Sequence, residues 1–288
     1  MTEPVCSVCG GAGKRDVKAW RQLGLEAAPR PYSIWHCRGC DLRWLAPYPQ
    51  PEDYQQLYGA DYFEAPVGNV GPYAEAQLEL ATFNRQKAAR FLTLGVNGSL
   101  LDVGCGPGNF LLAARDAGLA AEGYEPSAFA ADKARRLGLA VSGQTLEERV
   151  ADGRQYGAVH CSHVLEHVPD ARMLLADIHR LLAPGGVMYL EVPLQFLGLP
   201  DLVARLRRKS QPYSDFSIHH HYFFSPSALH RLLTAGGFEV LSLATFVAAR
   251  RAARPPGARK WLLQGALWLA DRLARRGDVI SVWARQRP

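Results

Sequence analysis

The chain has 288 residues, 48% hydrophobic and 21% charged, which suits one well-buried globular domain plus a small appendage. No segment reaches the run of roughly 20 apolar residues that spans a bilayer. Met1-Thr2-Glu3-Pro4-Val5-Cys6 has neither the basic start nor the apolar core of a signal peptide, so a cytoplasmic protein is expected. The net charge of +6 gathers late, in Arg205-Leu206-Arg207-Arg208-Lys209, Arg250-Arg251, Arg259-Lys260 and Arg275-Arg276. A solvated surface accounts for most such arginines, and nucleic acid is not the expected partner.

Four of the six cysteines stand in two C-x-x-C units, Cys6-Ser7-Val8-Cys9 and Cys37-Arg38-Gly39-Cys40. Two residues between thiolates let a tight turn aim both sulfurs at one ion, and Gly10 and Gly39 ease that turn. Two such turns supply the closed, four-sulfur set of a structural zinc site, with no position left for water. Disulfides would suit an oxidising compartment, and a redox C-x-x-C occurs once beside a βαβ unit, not twice in a loop-rich segment. Residues 1–48 are therefore read as a zinc ribbon with Cys6, Cys9, Cys37 and Cys40 as ligands. Such a segment is too small to hold a core, so the metal would supply much of its folding energy. Cys105 and Cys161 stand alone in apolar segments and read as small buried hydrophobes.

Residues 49–98 read as a linker with lid helices. They carry Tyr54, Tyr58, Tyr62 and Phe63, either a lid over a ligand or the packed face of an amphipathic helix. From Ser99 the pattern turns α/β. The apolar strand Leu100-Leu101-Asp102-Val103 runs into Gly104-Cys105-Gly106-Pro107-Gly108 and then a helix from Asn109. Such a turn brings backbone close to a ligand at the strand's carboxyl end. A glycine turn alone could serve NAD, FAD or S-adenosylmethionine, or be a plain tight turn. The spacing here is G-x-G-x-G, not the G-x-G-x-x-G of dinucleotide sites. The next strand ends in Glu125, placed to accept ribose hydroxyls.

Four stretches in order carry a family resemblance. Leu101-Asp102-Val103-Gly104-Cys105-Gly106-Pro107-Gly108 resembles motif I of class I S-adenosylmethionine-dependent methyltransferases, and Tyr124-Glu125-Pro126-Ser127 their motif II. His163-Val164-Leu165-Glu166-His167-Val168-Pro169-Asp170 resembles the segment closing the fourth strand, and Leu181-Leu182-Ala183-Pro184-Gly185-Gly186-Val187 the turn into the fifth. The resemblance implies an α/β, Rossmann-like seven-stranded sheet with helices on both faces and the last strand antiparallel. Strands are expected at 99–104, 120–125, 139–142, 156–162, 187–192, 238–247 and 279–285. It implies that Asp102, Gly104, Gly106 and Glu125 bind S-adenosylmethionine, with Gln144 and Thr145 at the adenine and Ser162 and His163 beside the sulfonium. The family's Asp at the opening of the fourth strand is replaced here, where Tyr156 is followed by Gly157. Tyr58-Gly59-Ala60-Asp61-Tyr62-Phe63 is similar to the stretch joining ribbon to core in such proteins, which makes Tyr58 and Tyr62 lid candidates over cofactor or substrate, Tyr62 being the one set against the cofactor.

Transfer from a sulfonium asks the protein mainly to position the acceptor and exclude water, with a base where oxygen or carbon is methylated. Histidine suits that task near neutral pH. His163 and His167 follow the fourth strand, His167 either as a helix-start residue or in chemistry. His219-His220-His221 precedes Tyr222-Phe223-Phe224-Ser225-Pro226, and His220 matches a histidine found at that place in related methyltransferases. It is either a base or a loop anchor. The methyltransferase domain is set at 99–288, with substrate insertions near 194–224 and 250–277. In the latter, Trp261, Leu262, Trp268 and Leu269 with flanking arginines suit either a helix packed on its own domain or one lying at a membrane surface, where a lipid-linked substrate would be reached. The function expected is methylation of an oxygen or carbon of a small molecule: a secondary metabolite, sugar or cell-surface glycan or lipid precursor. An RNA methyltransferase and a non-catalytic cofactor-binding docking protein are the alternatives. The acceptor and the oligomeric state are not encoded in any motif.

Overall fold

In a computed structural model of the protein, the described residues are 4–16, 33–47, 66–67, 70–72, 81–96, 98–196, 220–246 and 277–287. The first three strands, β1 (Gly13–Arg15), β2 (Ser33–Cys37) and β3 (Arg43–Ala46), belong to the cysteine segment. A small hairpin follows, β4 (Pro66–Val67) with β5 (Val70–Pro72). Next come α1 (Ala81–Thr93), β6 (Ser99–Val103), α2 (Asn109–Asp116), β7 (Ala120–Tyr124), α3 (Ala128–Arg136), β8 (Val141–Ser142) and α4 (Leu146–Ala151). The chain continues through β9 (Tyr156–Ser162), α5 (Ala171–Leu181), β10 (Leu182–Pro193), β11 (Tyr222–Phe223), α6 (Pro226–Ala235), β12 (Phe238–Phe246) and β13 (Val279–Gln286).

The central sheet has seven strands in the order β12-β13-β10-β9-β6-β7-β8. Only β13 runs against the rest, pairing antiparallel with β10 and β12. Strand β6 lies between β9 and β7, and the chain winds outward from it in both directions. The crevice at the carboxyl ends of β6 and β9 is thus the topological switch point, where open α/β sheets take their ligands.

Alternation along the strands builds a core on each face, because successive side chains point to opposite sides. Met188, Leu190 and Val192 of β10 join Ile280, Val282 and Ala284 of β13 under α5 and α6. Val187 and Tyr189 face the other way, with Trp283, onto α1 and α2. The helices start where short polar side chains can take up orphan N–H groups. Ser127 caps α3, Asp170 caps α5, and Ser225 caps α6 with Pro226 in the first turn. Thr145 and Glu148 form a reciprocal capping box on α4.

All seven expected strands are present within a residue or two, with one exception. Strand β10 begins at Leu182 rather than 187, because Leu182 already pairs with Tyr156 and the Pro184-Gly185-Gly186 segment is carried as a bulge before Val187. His167 is not a helix start; the cap of α5 is Asp170, whose carboxylate accepts from the N–H groups of Arg172 and Met173. The cysteine segment is not a free appendage. Its sheet takes a fourth strand from β11, giving β1-β2-β3-β11, and its apolar residues share the core under α5 and α6.

Phe91 of α1 is fully buried, its ring 4.8 Å from Trp283 and 6.1 Å from Phe110. Phe91→Ala should cost about 3–5 kcal/mol of stability through lost burial and the cavity left behind. Urea unfolding checks this, and a loss below about 1 kcal/mol would show that α1 is not part of the cooperative core.

Candidate active site at the carboxyl edge of the sheet

The turn after β6 carries three left-handed glycines, Gly104, Gly106 and Gly108. At Gly104 (φ +69°) an added Cβ would lie 2.4 Å from Val164 Cγ2, so a side chain would push apart the ends of β6 and β9. At Gly106 (φ +52°) an added Cβ would meet nothing within 4 Å. Glycine there keeps open space over the turn while giving the backbone a conformation L-residues resist. Glu125, just past the end of β7, braces the turn: its carboxylate accepts from the N–H of Gly106 and of Ser127, each at 2.8 Å. Partial burial raises its pKa, against the lowering effect of those two bonds. Helix α2 follows without a side-chain cap, so its first-turn N–H groups face the turn. Backbone donors, open space and one carboxylate suit the carboxylate, adenosyl and ribose parts of S-adenosylmethionine, and the residues present fit that cofactor.

Asp102 lies beneath this turn, 2% exposed, and accepts from His160 Nδ1 at 2.7 Å. With the proton on Nδ1, His160 turns its lone pair at Nε2 toward Lys87 Nζ, 3.5 Å away. Burial lowers the His160 pKa, outweighing the charge of Asp102. Lys87 projects from α1 and meets the Glu191 carboxylate of β10 at 3.2 Å, both groups nearly excluded from solvent. The Tyr189 hydroxyl also donates to Glu191.

His163 stands at the end of β9 with φ +56° and its N–H on the Glu191 carbonyl at 2.9 Å. That twist turns the ring between two buried carboxylates: Nε2 is 3.3 Å from Glu191 and Nδ1 is 3.4 Å from Glu166. Desolvation on its packed side would lower the imidazole's pKa, but the bonds and charges of Glu166 and Glu191 prevail and raise it to about 10. Both carboxylates are held below their ordinary range, against burial, by His163 with His167 at Glu166 and by Lys87 with His163 at Glu191. The flanking carboxylates thus favour the imidazolium form of His163.

Glu166 is fully buried, and His167 Nε2 is 3.8 Å from it. The His167 and His220 rings meet edge to face at 4.6 Å. His220 Nδ1 is 2.9 Å from Gln195 Oε1, which assigns the proton to Nδ1 and the lone pair to Nε2. Ligand atoms of Glu166, His167 and His220 all lie within 4.8 Å of one another, near enough to share a proton or a cation.

The structure thus brings together His163, His167 and His220 from segments far apart in sequence, along the strand ends that hold Asp102 and Glu125. Ser162 closes β9 opposite Glu191. Gln144 follows β8 with its amide donating to Asp152, and the Thr145 hydroxyl is occupied by the α4 cap. Tyr54, Tyr58, Tyr62, Phe63, His219, the arginine-rich insertion and the 258–276 segment lie outside the described residues. Lys87, His160, Gln195 and Glu191 were not singled out by sequence reasoning. An acid ending the apolar run Val187-Met188-Tyr189-Leu190 was a usable signal for Glu191, but no local pattern marks Lys87.

The four N-terminal sulfurs also converge. Cys6 and Cys40 Sγ are 3.5 Å apart, Cys9 and Cys37 Sγ 3.4 Å, and all four lie within 4.8 Å. A disulfide needs about 2.05 Å. Burial pushes the Cys6 and Cys40 thiols up, whereas at Cys37 the N–H groups of Cys40 and Gly39 and the Cys9 thiol overcome burial and bring it to about 7. N–H groups aimed at sulfur favour thiolate, and the donor set fits zinc.

A seven-stranded sheet of this order with one reversed strand, opening on this glycine turn, is the fold of class I S-adenosylmethionine-dependent methyltransferases. The chain belongs to the methyltransferase-domain family, which matches residues 73–243. It is 29% identical over 160 residues to a ubiquinone biosynthesis O-methyltransferase of Thiobacillus denitrificans, covering 50% of this chain and 66% of that one. The corresponding protein of Methylococcus capsulatus is 28% identical over 158 residues, covering 50% and 64%. The match therefore spans less than two thirds of either relative. Among solved structures, a SAM-dependent methyltransferase from Archaeoglobus fulgidus superposes with a TM-score of 0.50 at 17% identity, over 72% of this chain and 94% of that one. One from Mesorhizobium loti gives 0.50 at 18% identity, over 70% and 96%. Both share the fold.

The titrations fix a pH window. His163 has a folded pKa near 10 against an ordinary 6.5, so its contribution to stability is complete below pH 6.5 and is lost as pH rises through 10. Glu166 and Glu191, depressed, contribute above the ordinary carboxylate range and lose that contribution as pH falls through their lowered values. Glu191→Gln should move the His163 midpoint, followed by NMR of the ring, clearly downward. An unmoved midpoint would show that Glu191 does not hold the imidazolium.

Proposed function

We propose that the protein methylates an oxygen of a small-molecule acceptor, with His220 as the base. The observation that carries this reading is the convergence of His220, His167 and buried Glu166 beside strand ends that also present Asp102 and Glu125. The names of the two ubiquinone-pathway relatives support oxygen as the acceptor atom. In this reading residues 99–288 form the catalytic domain and residues 1–48 a zinc-binding ribbon.

S-adenosylmethionine, when bound, supplies a methyl group already activated on a positively charged sulfur. Glu125 would accept from the ribose hydroxyls, the Gly104–Gly106 backbone would lie along the cofactor, and Gln144 and Thr145 would border the adenine. Ser162 and His163 would stand at the sulfonium end. There the positive His163 and Lys87 are balanced by Glu166 and Glu191, so a cationic donor meets no net positive charge from these four groups. His220 Nε2 would take the acceptor's proton as its oxygen attacks the methyl carbon, and Glu166 would stabilise the resulting imidazolium. Gln195, 3% exposed, fixes the ring's orientation through Nδ1.

Two measurements test this. S-adenosylhomocysteine should bind the wild type, and Glu125→Ala should weaken it at least tenfold by calorimetry; wild-type protein that does not bind it would remove the reading altogether. With methyl-labelled S-adenosylmethionine and a panel of phenols, catechols and sugar hydroxyls, label should pass to an oxygen acceptor. His220→Gln should then lower kcat by about 10²–10⁴ with cofactor affinity within about twofold. A kcat that survives the substitution would make His220 an anchor of its loop instead. Metal analysis of the purified chain should find about one zinc.

A further inference from the structure

One short strand belongs both to the cysteine ribbon and to the histidine cluster. In β11, Tyr222 lies opposite Trp44 and Phe223 opposite Arg43 of β3, and the Leu45 N–H donates to the His221 carbonyl at 2.8 Å. From the other side, the N–H groups of His221 and Tyr222 both reach the Glu166 carbonyl, at 2.7 and 3.3 Å. The two residues following His220 are therefore clamped between the ribbon and the turn that carries Glu166 and His167.

Further contacts tie the cysteine loops themselves to the same region. The hydroxyls of Ser225 and Ser227, at the start of α6, donate to the Cys40 carbonyl at 3.4 and 3.1 Å. Arg172 of α5 donates to the Val8 carbonyl at 2.7 Å. Cys40 thus offers its sulfur to the four-thiol cluster and its carbonyl to the chain just beyond the histidines.

We infer that the ribbon is a brace for the acceptor side of the site, with the state of its four thiols setting how firmly His220 is held against Glu166. A two-residue strand makes too few bonds to stay in place alone, and a ribbon of this size draws its folding energy from the bound metal. When the cluster loses its metal, β3 loses its support and β11 its partner. The cofactor side is built differently. Asp102, Gly104, Gly106 and Glu125 are carried by β6 and β7, which pair with each other, β6 also with β9 and β7 with β8, and, among the described residues, not with the ribbon. Metal loss should loosen one half of the site and spare the other. The inference rests on His220 acting as base only for its catalytic consequence; the bracing is read without turnover.

The test is amide hydrogen exchange on the full chain, metal-loaded and after zinc is stripped with an organomercurial and a chelator, metal content being measured in each sample. Protection across 220–225 and 43–46 should fall at least tenfold on stripping, while 99–125 stays within about twofold and S-adenosylhomocysteine binds with unchanged affinity. Returning zinc should restore protection. Ser227→Ala, which cuts one tie to Cys40 and leaves all four thiols intact, should loosen 220–225 to a smaller degree in the metal-loaded protein. Unchanged exchange at 220–225 in verified metal-free protein would overturn the inference, as would uniform loss of protection including 99–125, or a chain that carries no metal when produced with zinc supplied. A protein that binds no S-adenosylhomocysteine in either state would instead count against the proposed function, leaving the exchange result to stand on its own.

Discussion

The buried ion pair between Lys87 and Glu191 ties together elements from across the sheet. It joins α1 to β10, and through His160 and His163 it reaches Asp102 on β6 and Glu166 after β9. A buried pair is costly to form, and its attraction repays desolvation only when the remaining donors and acceptors are met. Here they are: Tyr189 donates to Glu191, and the ammonium also lies 4.6 Å from the Phe83 and Tyr189 ring centroids. Breaking such a pair by removing one partner typically costs about 3–5 kcal/mol. The packing it permits is equally specific, for His160 is stacked between Phe110 and Tyr189, centroids 3.7 and 5.4 Å away.

That chain of charges also explains the division of labour among the histidines. His160 is buried and kept neutral, so it serves as a spacer between Asp102 and Lys87. His163, between two carboxylates, is kept charged. His220 has its Nδ1 fixed on the Gln195 amide oxygen. His160 and His163 take opposite protonation states because their surroundings differ in burial and in the sign of the nearest charge.

The ribbon and the sheet are coupled by a strand the sequence hides. Tyr222-Phe223 is two residues long, carries no alternation, and pairs with Trp44 and Arg43, far back in the chain. Its position depends on the four thiols at one end and on Glu166 at the other. The cysteine spacing announces a metal site, but says nothing about what that site supports.

Much of the architecture was written locally. The Leu-Asp-Val-Gly-Cys-Gly turn, Glu125 closing the second strand and the apolar runs of the central strands are short-range patterns, because a buried parallel strand must be apolar and a turn under a ligand must be glycine. Through the family resemblance they carry, they pointed to the seven strands, the switch point and the candidate cofactor residues. The paired C-x-x-C units likewise fixed which four sulfurs meet. What only the tertiary structure decided is which polar side chains share the interior. Lys87, His160, Glu166 and Glu191 lie on four different elements, and nothing in the residues around Lys87 reveals that its ammonium is buried against Glu191 rather than solvated. The protonation of His163 follows from those neighbours, and the orientation of His220 from Gln195. Local sequence sets the backbone's conformation, whereas charge in a low-dielectric interior is set by whatever folding brings within a few ångströms.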